Sequence, residues 1–210
     1  MSKIKEHLTF RYATKKFNPQ LKVSAEQEQQ ILESINLTAS SYGLQPYRVI
    51  AVRDQKLKKE LVPFSYQQQQ VSDADLLLVF AIESKVDEHY IDAYLKNICD
   101  TRHLTIGEVE GYGQMMKQSI SSLPHEHQVV WAQKQAYIGL GTAMLTVASL
   151  GLDSCPMEGF SPADYDKMLG LEDLNLNSAV VLAVGTRSDE DVTQHYPKVR
   201  RSMSDFVIPK

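Results

Sequence analysis

The residues predict helices and strands layered around one mainly buried sheet, an α/β or α+β fold, and three observations carry that reading. Apolar runs of strand length stand well apart: YRVIAV at 47–52, LLLVFAI at 76–82 and AVVLAV at 179–184. The intervals between them hold long segments with helical spacing of apolar residues. The 210-residue chain shows no repeat period and no Gly/Ser-rich linker, so a single domain over 1–210 is expected.

Taken in order, an N-terminal helix ends near Arg11. Ser24 and Gln27 have capping-box spacing, and Ile31, Leu32, Ile35 and Leu37 follow at helical intervals, predicting a helix over about 25–37. The strand at 47–52 is rich in β-branched residues and bounded by Pro46 and Asp54. The run at 76–82 has no polar alternation, as expected of a strand buried on both faces. Helices are expected over about 87–106, 112–121 and 126–150, then a short strand that includes Ser154 and Cys155. In Ser161-Pro162-Ala163-Asp164 the Ser suits a cap, the Pro the first helical position and the acid the first turn. The last strand, 179–184, is closed by Gly185.

From Ala136 to Leu150 the longest helix is apolar nearly all round, the pattern of a helix enclosed on every side. Gly139 and Ala143 share a face, with Gly141 nearby, so another backbone can approach closely there. A dimer encloses such a helix easily; packing on the chain's own sheet is the alternative.

Composition narrows the function classes. With 22 Lys+Arg against 26 Asp+Glu and a net charge of −4, no electrostatic footprint for nucleic acid exists, and any phosphate recognition must be local. Cys99 and Cys155 form no CxxC pattern, so neither a disulfide framework nor a thiolate metal cluster is expected, and a reducing, cytoplasmic setting fits. The charged start MSKIKEHLTF reads against a signal peptide. The uncharged stretch 136–152 falls short of the roughly 20 residues of a membrane span.

Motifs exclude more than they offer. Gly139-Leu140-Gly141 lies in a helical pattern without a preceding strand, so a Rossmann site is poorly supported, and no Walker A, HExxH or GxSxG pattern occurs. His125-Glu126-His127 reads as a solvated helix start, because residues two apart on a helix point in different directions; no metal is expected. Cys155 reads as a small buried thiol.

Chemistry concentrates in four places. Arg11-Tyr12-Ala13-Thr14-Lys15-Lys16-Phe17 and Pro197-Lys198-Val199-Arg200-Arg201 are basic clusters in an acidic protein, able together to clamp one phosphate. Thr38 to Tyr47 offers hydroxyls, amides and a turn-permitting Gly43 between a helix and a strand. Gly151 to Phe160 makes a rigid Pro- and Gly-containing turn whose backbone N–H groups can address a polar planar ring.

The succession RYATKKF, SSYGLQPYRV, LGLDSCPMEGF and VVLAVGTRSDED with YPKVR behind it resembles the FMN-dependent nitroreductase family over nearly the whole chain. It is similar to the oxygen-insensitive NAD(P)H nitroreductases and to dihydropteridine-reductase-like members. The resemblance implies an α+β fold with a central, mostly antiparallel sheet flanked by helices, in an intertwined homodimer with FMN at the subunit interface. It also implies hydride transfer from NADH or NADPH through FMN to a small-molecule acceptor, a nitroaromatic, quinone or activated alkene, in ping-pong order. A non-catalytic FMN-binding or storage protein and a helical dimerisation module whose basic clusters are only surface are the other readings.

Carried over by position, Arg11, Tyr12, Ala13 and Lys15 match the family's N-terminal flavin segment, with Arg11 at the phosphate and Lys15 near the N1/O2 edge of the ring. Lys198 and Arg200 match the C-terminal phosphate pair. Ser40, Ser41 and Gly43 match the stretch given by the other subunit, and Gln67 and Gln70 the pyrimidine contacts. Pro156, Met157, Glu158 and Gly159 match the turn against the ring, where a backbone N–H faces N5. Lys15 and Glu158 are the catalytic candidates. Ala13 stands where Ser is usual, Gly43 where Asn is frequent and Gln70 where Lys is frequent; the first two each delete a hydrogen bond worth about 0.5–1.5 kcal/mol.

Overall fold

The computed structural model describes residues 2–210. Its sheet has four antiparallel strands in the order β1-β2-β4-β3: β1 (Tyr47–Val52), β2 (Leu76–Glu83), β3 (Asp153–Met157) and β4 (Leu176–Gly185). The fold is therefore α+β. β2 sits centrally and is buried along its whole length, which is why its sequence shows no polar alternation.

Alternate residues of β2 feed two different cores. Leu76, Leu78, Phe80 and Ile82 pack with Val180, Leu182 and Val184 against α2 (Ala25–Asn36) and α7 (His125–Ser149). Leu77 and Val79 pack with Val181 and Ala183 against the opposite layer. That layer comprises α3 (Gln55–Leu61), α4 (Gln70–Asp73) and α8 (Pro162–Leu169), with Tyr165 wholly buried in it. A third cluster joins α5 (Glu88–Arg102) and α6 (Ile106–Met116) through Ile91, Leu95, Val109 and Met116, with Leu44 inserted from the loop before β1. α1 (Lys3–Phe10) starts the chain, and α9 (Met203–Phe206) lies in an exposed C-terminal stretch.

The Ser24–Gln27 capping box opens α2, both of its reciprocal bonds being present. Two boundaries depart from expectation. The helix expected to reach 106 stops at Arg102 because His103 turns left-handed at φ 57°, and Thr105 with Glu108 forms a second capping box that starts α6 well before 112. α3 and α4, unmarked by any long periodicity, are further additions; Asp54 caps α3 by accepting from the Leu57 N–H at 2.6 Å.

Within a single chain α7 keeps one side uncovered. Ala132, Ala136, Gly139, Leu140, Ala143 and Val147 are buried, while Val130, Tyr137 and Ile138 face outward. The Gly139/Ala143 face receives the chain's own sheet: a Cβ on Gly139 would meet the Tyr47 hydroxyl at 2.6 Å, whereas one on Gly141 meets nothing within 4 Å. No helix among the described residues is long and apolar enough to cross a membrane.

Candidate functional site

After α1 the chain runs extended beside the sheet instead of turning away. Ala13 bridges in parallel to Ser154 of β3, with the Thr14 N–H donating to the Ser154 carbonyl at 3.3 Å. Phe17 pairs with Arg187, the Asn18 N–H reaches the Thr186 carbonyl at 2.8 Å and the Ser188 N–H reaches the Lys16 carbonyl at 2.9 Å. The first basic cluster is thereby stitched to β3 on one side and to the segment after β4 on the other.

Two buried carboxylates fasten this junction. Asp153 accepts from the Arg187 Nε at 2.8 Å, its Nη2 at 2.5 Å and its backbone N–H at 2.9 Å. The same guanidinium lies over the rings of Phe10 and Tyr12, 4.3 and 4.7 Å from their centroids. Asp191, 1% exposed, accepts at Oδ2 from the Tyr12 hydroxyl (2.9 Å) and the backbone N–H groups of Lys15 (2.7 Å) and Lys16 (3.1 Å). Its Oδ1 accepts from the Thr193 N–H (3.0 Å) and hydroxyl (2.5 Å). These donors outweigh the cost of burial and hold its carboxyl down at about 2. The Tyr12 phenol is pushed up to about 12, by burial first and then by Asp191.

The second basic cluster folds back onto the first. Lys198 donates its ammonium to the Arg11 carbonyl, and Arg200 donates to the Val199 carbonyl at 2.6 Å. Burial lowers the Arg11 pKa and proximity of Arg200 lowers it further. Lys198 is lowered by burial and by Arg11, Arg200 and Arg187. Among the described residues no carboxylate pairs with Arg11, Lys15, Lys198 or Arg200, whereas Arg187 has Asp153. The Arg11 Nε is buried without an acceptor, as are the Thr14 and Ser154 hydroxyls beside it in the ladder. Mutually repelling cations with an unsatisfied donor form a cradle for an anion.

β3 connects this cradle to the Pro- and Gly-containing turn. The Cys155 thiol is pushed up by burial, while Lys15, Arg11 and the Gln70 side chain act on it in the opposite sense. It is a buried, neutral thiol. Pro156 and Met157 finish β3; Glu158 and Gly159 follow. The Glu158 carboxylate accepts from the Tyr137 hydroxyl of α7 at 2.5 Å, and the Gly159 carbonyl accepts from the Gln68 amide at 2.8 Å. A Cβ on Gly159 would sit 2.9 Å from that amide nitrogen, so glycine lets the turn close onto Gln68.

Other candidates lie elsewhere in the chain. Gln67 is exposed, in a left-handed conformation (φ 61°), at a depression of about 410 Å³ that Lys59 and Asp73 also line. Ser40, Ser41 and Gly43 belong to the α5/α6 side. There the backbone of Tyr42, Gly43 and Gln45 is left-handed, and the Tyr42 carbonyl accepts from Tyr94 (2.8 Å) and Tyr112 (2.9 Å). The Tyr90 hydroxyl holds the Leu44 and Gln45 carbonyls, each at 3.0 Å. Gly43, Arg48, Glu83 and Tyr90 line a cleft of about 870 Å³ that includes no residue of either basic cluster.

The sequence profile of the Nitroreductase family matches residues 8–186. The chain belongs to the nitroreductase family. With it the chain stands among oxidoreductases. A Staphylococcus haemolyticus protein provisionally named an NAD(P)H nitroreductase is 32% identical over 206 residues, covering 94% of this chain and 93% of the relative. A provisionally named NAD(P)H nitroreductase of Staphylococcus aureus is 34% identical over 209 residues, covering 96% and 94%. The fold is similar to that of ydfN from Bacillus subtilis, provisionally named a nitroreductase, with a TM-score of 0.88 at 18% identity and 98% of both chains covered. It is likewise similar to an Exiguobacterium sibiricum protein provisionally named a nitroreductase and solved in complex with FMN, with a TM-score of 0.83 at 21% identity, covering 100% and 98%.

In this nitroreductase-family chain, sequence reasoning passed over Asp191, Arg187, Asp153, Gln68 and Tyr137, the groups that position the expected site residues. The signal for Asp191 was inside the GTRSDED motif, but nothing in that run distinguishes the buried acid from its exposed neighbours Asp189 and Glu190.

Proposed function

We propose that this chain is an FMN-dependent NAD(P)H oxidoreductase, one flavin-binding domain working as a homodimer in the cytoplasm, that delivers hydride to nitroaromatics, quinones or activated alkenes by ping-pong turnover. The carrying observation is the uncompensated cradle: Arg11, Lys198 and Arg200 from opposite ends of the chain, with the buried Arg11 Nε lacking an acceptor. Those residues suit a phosphomonoester tail.

FMN, when bound, supplies the acceptance and release of hydride. Arg11, Lys198 and Arg200 bind the phosphate and so set where the ring lies along the chain. Lys15 brings positive charge to the pyrimidine end, where negative charge must be stabilised. Gln70, buried in α4, is the remaining candidate for the pyrimidine end. Pro156, Met157, Glu158 and Gly159 offer backbone groups to the ring, and Tyr137 with Gln68 holds that turn in place. Glu158 faces the acceptor side as a carboxylate tethered by a phenol.

Ser40, Ser41 and Gly43 lie apart from this cradle in their own chain, which suits a contribution to the site of a second copy. The outward Val130 and Ile138 of α7 and the exposed Val199, Phe206 and Ile208 of the C-terminal stretch supply apolar surface for such a partner. Anaerobic mixing with NADH and NADPH, followed by an acceptor panel, tests the reading. Bleaching of the flavin band and recovery on adding a quinone or nitroaromatic is expected. Flavin that stays oxidised would instead favour a storage protein, and failure to bind FMN would remove the proposal.

A further inference from the structure

The two halves of the anion cradle are separated by nearly the whole chain, and something must hold them in register. Lys198 touches Arg11 only through a side chain on an exposed stretch, and Arg200 bonds to its neighbour's carbonyl. The buried link lies elsewhere. One oxygen of Asp191 takes all of its donors from the first basic segment: the Tyr12 hydroxyl and the Lys15 and Lys16 N–H groups. The other takes both of its donors from Thr193, in the turn Val192–His195 that leads directly to Lys198 and Arg200.

We infer that Asp191 is a positioning residue for phosphate recognition: its Oδ2 ties the first cationic segment to the stretch that leads to the second, and its Oδ1 shapes the turn at Thr193 from which that stretch departs. The inference rests on the flavin reading above. Each oxygen accepts from at least one backbone N–H, which only donates, so both must be acceptors at once, as in an ionised carboxylate; an amide presents one acceptor and one donor, and the backbone N–H on one side must lose its partner. The depressed carboxyl pKa agrees with that demand. Both Asp191 oxygens are taken up by protein donors, so its effect passes through the backbone of Lys15 and through Thr193.

Titration of the flavin-free full chain with FMN and with riboflavin, read by flavin fluorescence, separates this role from a general loss of structure, because riboflavin lacks the phosphate. Asp191→Asn is expected to reduce the FMN-over-riboflavin preference by about tenfold or more, the scale of a lost hydrogen bond to a charged group. Thr193→Val keeps the carboxylate and removes one of the two donors at its Oδ1, leaving the backbone N–H. It is expected to reduce that preference about threefold while leaving riboflavin affinity unchanged. Equal weakening of both ligands in step with lost thermal stability, or a wild-type preference in both variants, overturns the inference. Wild-type protein that binds neither flavin refutes the flavin reading and removes this one with it, whereas binding of FMN with an unaltered preference refutes this one alone.

Discussion

Replacing Arg187 by Met is expected to be among the most damaging single changes outside the apolar core. Asp153 is 2% exposed and takes two of its three hydrogen bonds from the Arg187 side chain, at 2.5 and 2.8 Å. Without the guanidinium, a buried carboxylate keeps only the Arg187 backbone N–H at 2.9 Å. Breaking a buried pair from one side costs about 3–5 kcal/mol, and the lost stacking on Phe10 and Tyr12 adds about 0.5–1 kcal/mol for each ring. In a chain of this size about 1 kcal/mol moves Tm by about 2–4 °C, so a fall of roughly 8–28 °C is expected in thermal unfolding followed by circular dichroism. The double variant Asp153→Leu/Arg187→Met should recover at least half of that fall, because it removes the stranded charge. A single variant within about 3 °C of wild type, or a double variant no better than the single, would refute the argument that Asp153 depends on Arg187.

Asp191 is held at about 2 against an ordinary 3.8, a depressed carboxyl, so its stabilisation is present above pH 4 and lost as pH falls through the folded value. That difference corresponds to about 2 kcal/mol, and urea unfolding of wild type and Asp191→Asn should converge between about pH 4 and 2. A gap constant from pH 6 to 2 would contradict it. Gly139→Val must displace the Tyr47 ring, whose hydroxyl lies 2.6 Å from the added Cβ, and should lower stability by about 1–3 kcal/mol in the same assay, with an unchanged midpoint ruling out the close approach. Arg11→Ala and Arg200→Ala should each weaken FMN binding by about 1.5–3 kcal/mol in isothermal titration, and unaltered affinity in both would move the phosphate elsewhere.

What could be read from the sequence was local. The β2 run announced a strand buried on both faces, because a central strand must be apolar on each alternate side, and Ser24 with Gln27 announced α2, because a capping box closes within four residues. The break at His103 escaped notice because it depends on one left-handed residue between two helical patterns. α3 and α4 escaped because segments that short carry no measurable period.

The two basic stretches and the ring-facing turn are visible as residue types in their order along the chain. Their meeting is not, since the Lys15 N–H and its acceptor Asp191 lie 176 residues apart. The sequence by itself determined the strands of the sheet, the longer helices and which residues carry charge. Tertiary structure alone decided which acids are buried as anchors and which lie in water. It also turned the Gly139 face of α7 toward Tyr47 and the apolar Ile138 face outward. Short-range signals arise from bonds closed within a turn or two, whereas a buried carboxylate is selected by donors that only the finished fold brings within 3 Å or so of it.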